Sequence, residues 1–261
     1  MNGTYFVDTH SHMYAEEFSA DLAEVMQRAV KEGVSKIYLP AIDSNSAASM
    51  LQLETSYPDH CIAMMGLHPC YVKENYLEEL AFVKSWLSKR KFAAVGEIGL
   101  DYYWDRNFDN QQKEAFEIQI DWALDYNLPI VIHSRDSMDD TIEMVSSKQN
   151  GSLRGIFHCF SGTYEQAIKI IDLGFLLGIG GVLTYKKSGL AEIVEKLPLT
   201  AIVLETDSPY LTPVPFRGKR NESSYLKYVA TKLAEIKRLP LEEISKITTA
   251  NAEKIFSVTK G

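Results

Sequence analysis

With 261 residues, 46% hydrophobic and 24% charged, the chain can bury a full core, and its composition excludes a disordered or fibrous protein. A formal net charge of −8 excludes coating of nucleic acid by bulk attraction, so any polyanionic substrate must be met locally, by cations or a small basic patch. Cys61, Cys70 and Cys159 are an odd count that fits reduced thiols; the start Met1-Asn2-Gly3-Thr4 lacks a leader pattern and no apolar run approaches the ~20 residues of a membrane span, so a cytoplasmic protein without membrane contact or an obligate protein partner is expected.

In chain order, the apolar run Tyr5-Phe6-Val7 leads to a helical stripe at Leu22, Val25, Met26, Ala29 and Val30, with Ser19 as its expected N-cap and Gly33 as its stop. The runs Lys36-Ile37-Tyr38-Leu39, Ile62-Ala63-Met64-Met65 and Phe92-Ala93-Ala94-Val95 follow. Asp109 and Gln112 have the spacing of a capping box and open a stripe at Phe116, Ile120, Ala123 and Leu124 that ends before Pro129. Beyond it come Ile130-Val131-Ile132, Gly155-Ile156-Phe157, a helix through Ala167, Ile168 and Ile171 closed by Gly174, Phe175-Leu176-Leu177, and Ile202-Val203-Leu204. Leu226, Val229, Ala230 and Leu233 mark a later helix, and Leu241, Ile244 and Ile247 one more after Pro240.

Short, nearly continuous apolar runs are what strands of a parallel sheet covered on both faces show. Eight of them, with helices between and no linker, predict one domain over residues 1–261, an α/β chain folded as a TIM (β/α)₈ barrel. An open doubly wound sheet is the alternative, disfavoured because the first strand-to-helix turn has no G-x-G-x-x-G loop.

Polar residues suited to metal binding stand directly after these runs. His10 and His12 follow the first, Glu97 the fourth, His133 the fifth, His158 the sixth and Asp207 the eighth. The C-terminal ends of barrel strands share one rim, so residues distant in sequence are expected to meet there. Alternation turns His10 and His12 to one side and Thr9 and Ser11 to the other, and it turns Cys159 away from His158. Any one of these residues alone would be an ordinary capped or paired polar group. Six ionisable groups at one rim without a metal would leave desolvation and like charge uncompensated. The set exceeds what a single open zinc site takes and suits two divalent ions sharing Glu97, with magnesium, manganese and zinc all compatible.

The stretches Asp8-Thr9-His10-Ser11-His12, Gly66-Leu67-His68-Pro69, Gly96-Glu97-Ile98-Gly99-Leu100-Asp101-Tyr102, Pro129-Ile130-Val131-Ile132-His133-Ser134-Arg135, His158-Cys159-Phe160-Ser161-Gly162, Glu205-Thr206-Asp207-Ser208-Pro209-Tyr210 and Arg217-Gly218-Lys219-Arg220-Asn221-Glu222 resemble, in order, the TatD family of metal-dependent deoxyribonucleases. The resemblance implies a barrel of the amidohydrolase superfamily that hydrolyses DNA phosphodiesters, often from the 3′ end, on single-stranded or end-containing DNA. It places His10, His12 and Asp207 on one ion, His133 and His158 on the other, and Glu97 between them. One departure is Ser223, where the family pattern leads one to expect proline after Asn221-Glu222.

Two-metal chemistry would make Glu97 and Asp207 the catalytic carboxylates, Asp207 orienting the attacking water or taking its proton. His68 is either a phosphate contact or a hydrogen-bonding group behind the ligands, and Glu205, which shares a face with Asp207, is expected behind the ligands rather than on a metal. His60 lies at the wrong end of its strand and is expected at the surface. Arg217 and Arg220 would clamp the DNA backbone, unless their loop is simply solvated. Tyr102, Tyr103 and Trp104 would either stack on unpaired bases or pack under their loop. Two other functions compete: a small-molecule amidohydrolase acting on an amide, lactone or imide, and a non-catalytic metal- or nucleic-acid-binding module.

Overall fold

A computed structural model describes residues 4–257; the Met1-Asn2-Gly3 start read above lies outside the described residues. Eight strands run β1 (Phe6–Asp8), β2 (Val34–Leu39), β3 (Cys61–Ala63), β4 (Val95–Asp101), β5 (Ile130–Arg135), β6 (Gly155–Phe157), β7 (Leu176–Ile179) and β8 (Ile202–Leu204), and every strand pair is parallel. The helices that follow them are α1 (Leu22–Lys31), α2 (Ser44–Ser56), α3 (Tyr76–Lys89), α4 (Asp109–Asp125), α5 (Met138–Lys148), α6 (Tyr164–Asp172), α7 (Leu190–Lys196) and α8 (Leu226–Lys237), with α9 (Leu241–Phe256) at the end.

The ladders form two arcs, β1-β2-β3 and β4 through β8, which backbone hydrogen bonds close into a ring. At one seam Met65 N–H donates to Ala94 O (3.2 Å) and Gly96 N–H to Met65 O (3.1 Å). At the other, Thr9 N–H donates to Leu204 O (3.0 Å) and Asp207 N–H to His10 O (2.9 Å). This second seam ties the ends of β1 and β8 together where their polar residues emerge.

Val7, Tyr38, Met64, Ala94, Val131, Ile156 and Val203 pack as one cluster with Ala252, Ile255 and Phe256 of α9, which stops the barrel at its base. The larger core lies between strands and helices. With its lower half filled by side chains, the barrel can hold a site only at the opposite rim. Among the described residues no helix is long and apolar enough to cross a membrane.

Three local expectations are corrected. Asp21, not Ser19, precedes α1, because Glu16–Phe18 form a separate helical turn that ends at Ser19. Asp109 is the first residue of α4 rather than its cap, and Gln112 turns inward, accepting from Asp101 N–H (2.8 Å) and donating to Asp101 O (3.0 Å). The fourth strand begins at Val95 rather than Phe92, so Glu97 lies within a strand and not just beyond one.

Candidate metal centre

Glu97 stands at the centre of the rim, buried, with its two oxygens addressing different histidines. Oε2 lies 3.1 Å from His10 Nε2 and 3.5 Å from His12 Nε2. Oε1 lies 2.9 Å from His133 Nδ1, 3.4 Å from His68 Nε2 and 3.5 Å from His158 Nε2. Asp207 Oδ1 completes the ring at 3.7 Å from His10, 3.6 Å from His12 and 3.9 Å from His158. His10 and His158 stack with ring centroids 3.5 Å apart. Two groups able to hold a metal ion, His10-His12-Glu97 and Glu97-His133-His158, therefore share one carboxylate, and Asp207 joins His10 and His158 in a third.

Side chains behind the ring fix which nitrogen of each imidazole faces inward. Tyr14 O–H donates to Pro40 O (2.5 Å), so its oxygen accepts from His12 Nδ1–H (2.9 Å) and leaves Nε2 toward Glu97. Asp101 accepts from His133 Nε2–H (2.8 Å) and from the Tyr103 and Trp104 amides (2.9 and 3.1 Å), which turns His133 Nδ1 inward. Glu205, fully buried, accepts from Cys159 N–H (2.7 Å) and lies 3.0 Å from His158 Nδ1, a charge contact too poorly aligned to be a hydrogen bond. His68 differs from the others. Its Nδ1 accepts from Cys70 N–H (3.0 Å), so its Nε2 carries the proton and faces the site as a donor. Gly99, at φ 141°, lets β4 pass against His133, since a Cβ there would be driven into the His133 carbonyl oxygen.

The electrostatics suit divalent cations. Burial alone would raise the pKa of Glu97, but His68, His10 and His158 hold it well below the ordinary range. Burial opposes charge on His158, yet Glu205, Glu97 and Asp207 outweigh it and push that imidazole up to about 10. His133 is raised in the same way, burial being outweighed by its hydrogen bonds to Asp101 and Glu97. Burial and the neighbouring His158 lower His10 well below its usual value. Burial lifts Asp207 to about 6, its histidine neighbours notwithstanding. The fit to metal is specific: Glu97 Oε2 is buried without a hydrogen-bond donor, and inward-facing imidazole nitrogens converge on the same carboxylate. Cations in those positions would satisfy both.

The cluster opens into a cavity of about 850 Å³ lined by His68, Cys159, Trp104, Arg135 and Tyr210, among others. Cys159 lining it is a correction. β6 ends at Phe157 and Cys159 adopts a left-handed backbone (φ 48°), so the alternation that turned it away does not extend that far. His60 lies remote from the rim, half-buried, and donates from Nδ1 to Ser35 O (3.0 Å). Tyr102, Arg217 and Arg220 do not line the cavity. Tyr102 O–H donates to Asp140 (2.8 Å), Arg217 lies over the Tyr185 ring at 4.2 Å, and Arg220 makes a two-pronged pair with Asp21 (2.8 and 2.7 Å).

Several residues that carry the site were not singled out from sequence: Tyr14, Asp101, Asn221 and Asp8. Asn221 donates to Thr206 O (2.8 Å) and Tyr210 O (2.6 Å), pinning the loop that carries Asp207. Asp8 accepts from Thr206 N–H (2.9 Å) and from the Ser223 hydroxyl (2.7 Å), a bond that proline at 223 could not make. Asp8, Asp101 and Asn221 all lie inside the quoted motifs, so only their roles were unread.

A parallel eight-stranded barrel with carboxylate-linked histidine sites at its C-terminal rim defines a metal-dependent hydrolase. The family described as TatD related DNase matches residues 7–257, and the chain belongs to that family. It is 40% identical over 252 residues to the uncharacterized metal-dependent hydrolase YabD of Bacillus subtilis, covering 96% of this chain and 98% of that one. The crystal structure of YjjV, a TatD homologue from Escherichia coli K12, superposes with a TM-score of 0.92 at 33% identity over 99% of this chain and 100% of that one. A phosphotriesterase homology protein from Escherichia coli, complexed with phosphate in its active site, shares the fold (TM-score 0.75, 13% identity, 97% of this chain and 99% of that one).

Proposed function

We propose that this hydrolase is a single-domain deoxyribonuclease that cleaves phosphodiester bonds of single-stranded or end-containing DNA, in the 3′-to-5′ direction. The observation that carries the reading is Glu97, whose oxygens divide between two sets of histidines. His10, His12 and Asp207 would hold one cation, His133 and His158 the other, and Glu97 both. Two divalent cations bound there supply an acidified water and neutralise charge that develops on phosphate oxygens.

The chain does the rest. Asp207 is the cluster's carboxylate that keeps contact with solvent, its side chain 14% exposed against 2% for Glu97, and it accepts the proton released at the cavity face. His68, its proton fixed on Nε2 by the Cys70 amide, donates to a non-bridging phosphate oxygen. Tyr14, Asp101 and Glu205 keep the imidazoles aimed. Arg217, which has no carboxylate partner among the described residues, contacts the strand farther from the cleavage point, whereas Tyr102 and Arg220 brace their loops.

The test is hydrolysis of 5′-labelled and 3′-labelled single-stranded oligonucleotides with magnesium or manganese, beside a panel of cyclic amides and lactones. Stepwise loss from the 3′ end, abolished by chelator, is expected. Turnover of amides or lactones with intact oligonucleotides would overturn the nuclease reading.

A further inference from the structure

The mouth of the cavity carries groups that bond cleavage itself does not use. Large apolar side chains stand exposed on two sides of it: Tyr103 and Trp104 after β4, and Tyr210 and Leu211 after β8. In a closed ring of eight strands β4 and β8 are four strands apart, so the two groups face one another across the metal cluster. Trp104 is 68% exposed and Tyr210 52%. An exposed indole and phenol at opposite lips of a catalytic cavity offer two aromatic faces on which planar ligand groups can stack.

A cation accompanies the indole. Arg135 ends β5 two residues beyond His133 and so shares its face. Its guanidinium lies 3.7 Å from the Tyr103 ring centroid and 5.3 Å from that of Trp104. Elsewhere Arg28, Arg90, Arg106 and Arg220 each grip a carboxylate, but no carboxylate lies within ion-pair range of Arg135 among the described residues. In a chain with eight excess negative charges, a guanidinium that rests over the Tyr103 ring beside a metal cluster, with no carboxylate partner among the described residues, is free to take an anion. The platform is also anchored, because Asp101 accepts from the Tyr103 and Trp104 amides while it holds His133.

We propose that Trp104, with Arg135 beside it, and Tyr210 opposite seat the two bases that flank the scissile phosphate, so that the enzyme reads an unpaired dinucleotide step. One base stacks on the indole while Arg135 takes the phosphate next to it; the neighbouring base lies against Tyr210 across the metals. Bases paired inside a duplex cannot reach two platforms that face each other across the cavity without leaving their stack, so duplex is cleaved only where it frays. This rests on the nuclease reading and adds the residues that choose the substrate.

The test compares a single-stranded oligonucleotide with one of equal length in which the nucleotides flanking the cleaved bond are base-free tetrahydrofuran units, both with manganese. Wild type favours the base-bearing strand in kcat/KM. Trp104→Ala, Tyr210→Ala and Arg135→Ala each lower kcat/KM on it by about tenfold, chiefly through KM, and both aromatic variants shrink the preference for bases. A second readout needs no turnover. Of the three tryptophans, Trp104 is the exposed one, so oligonucleotide binding to the chelator-treated protein quenches fluorescence in wild type and not in Trp104→Ala. Equal losses on both strands, or quenching that survives in Trp104→Ala, would overturn the proposal. Wild-type protein that cleaves no DNA at all would overturn the nuclease reading, whereas cleavage indifferent to the flanking bases would remove this proposal alone.

Discussion

Tyr14→Phe isolates the orientation of a single imidazole without touching the charge of the site. The hydroxyl accepts from His12 Nδ1–H and donates to Pro40 O, and its loss leaves a buried N–H and a carbonyl without partners. At about 1 kcal/mol net for each of two hydrogen bonds, folding stability should fall by about 2 kcal/mol. For a chain of this size that is a lowering of the melting temperature by about 4–8 °C. The His12 ring then has no partner to fix its tautomer, and disturbing a group that orients a metal ligand costs about tenfold to a hundredfold in metal affinity or activity. Calorimetric titration of chelator-treated protein with manganese, beside thermal melts of the same samples, separates the two effects. A lower melting temperature with unchanged affinity at both sites would refute the argument that Tyr14 aims His12. Unchanged melting would show that the two hydrogen bonds carry no weight.

Asp207→Asn should reduce turnover by about 10²-fold or more with metal content retained, since its acceptor role is lost while the other five ligands stay; normal activity by initial-rate assay would reassign the proton acceptor. His158 is held protonated up to about 10 by Glu205, Glu97 and Asp207 against the pull of burial. Its contribution to the stability of chelator-treated protein is therefore complete below the ordinary value of 6.5 and is lost as pH rises toward 10, so melts across that window should decline. In the same window manganese affinity should increase with pH and binding should release protons; affinity independent of pH would contradict the charge assignment. Arg220→Ala should change KM for single-stranded DNA less than about twofold and lower the melting temperature slightly, because the guanidinium is engaged with Asp21; a large KM effect with normal melting would restore it as a DNA contact.

The barrel was legible because parallel strands covered on both faces write themselves as apolar runs, and each of the eight fell on or beside a strand. The metal cluster was legible because the fold collects strand ends at one rim. Alternation carried the reading of His10 and His12, which both turn to Glu97 Oε2, at 3.1 and 3.5 Å. It failed where the backbone departs from a strand. β6 ends at Phe157, and the left-handed Cys159 turns its thiol toward the cavity. Helix starts were misplaced at Ser19 and Asp109 because capping spacing is local, whereas Gln112 was claimed by the backbone of Asp101. Asp101 was unread for a related reason: the imidazole it holds is 32 positions away. Tyr14 stands two residues from His12, but its role depends on the Pro40 carbonyl that takes its hydroxyl proton, 26 positions on.

The two-cation arrangement is tested most directly by electron paramagnetic resonance of chelator-treated protein titrated with manganese. Two equivalents should bind, the second producing an exchange-coupled signal that disappears in Glu97→Gln. A single equivalent, or two independent six-line spectra unaffected by Glu97→Gln, would contradict a carboxylate shared between two ions.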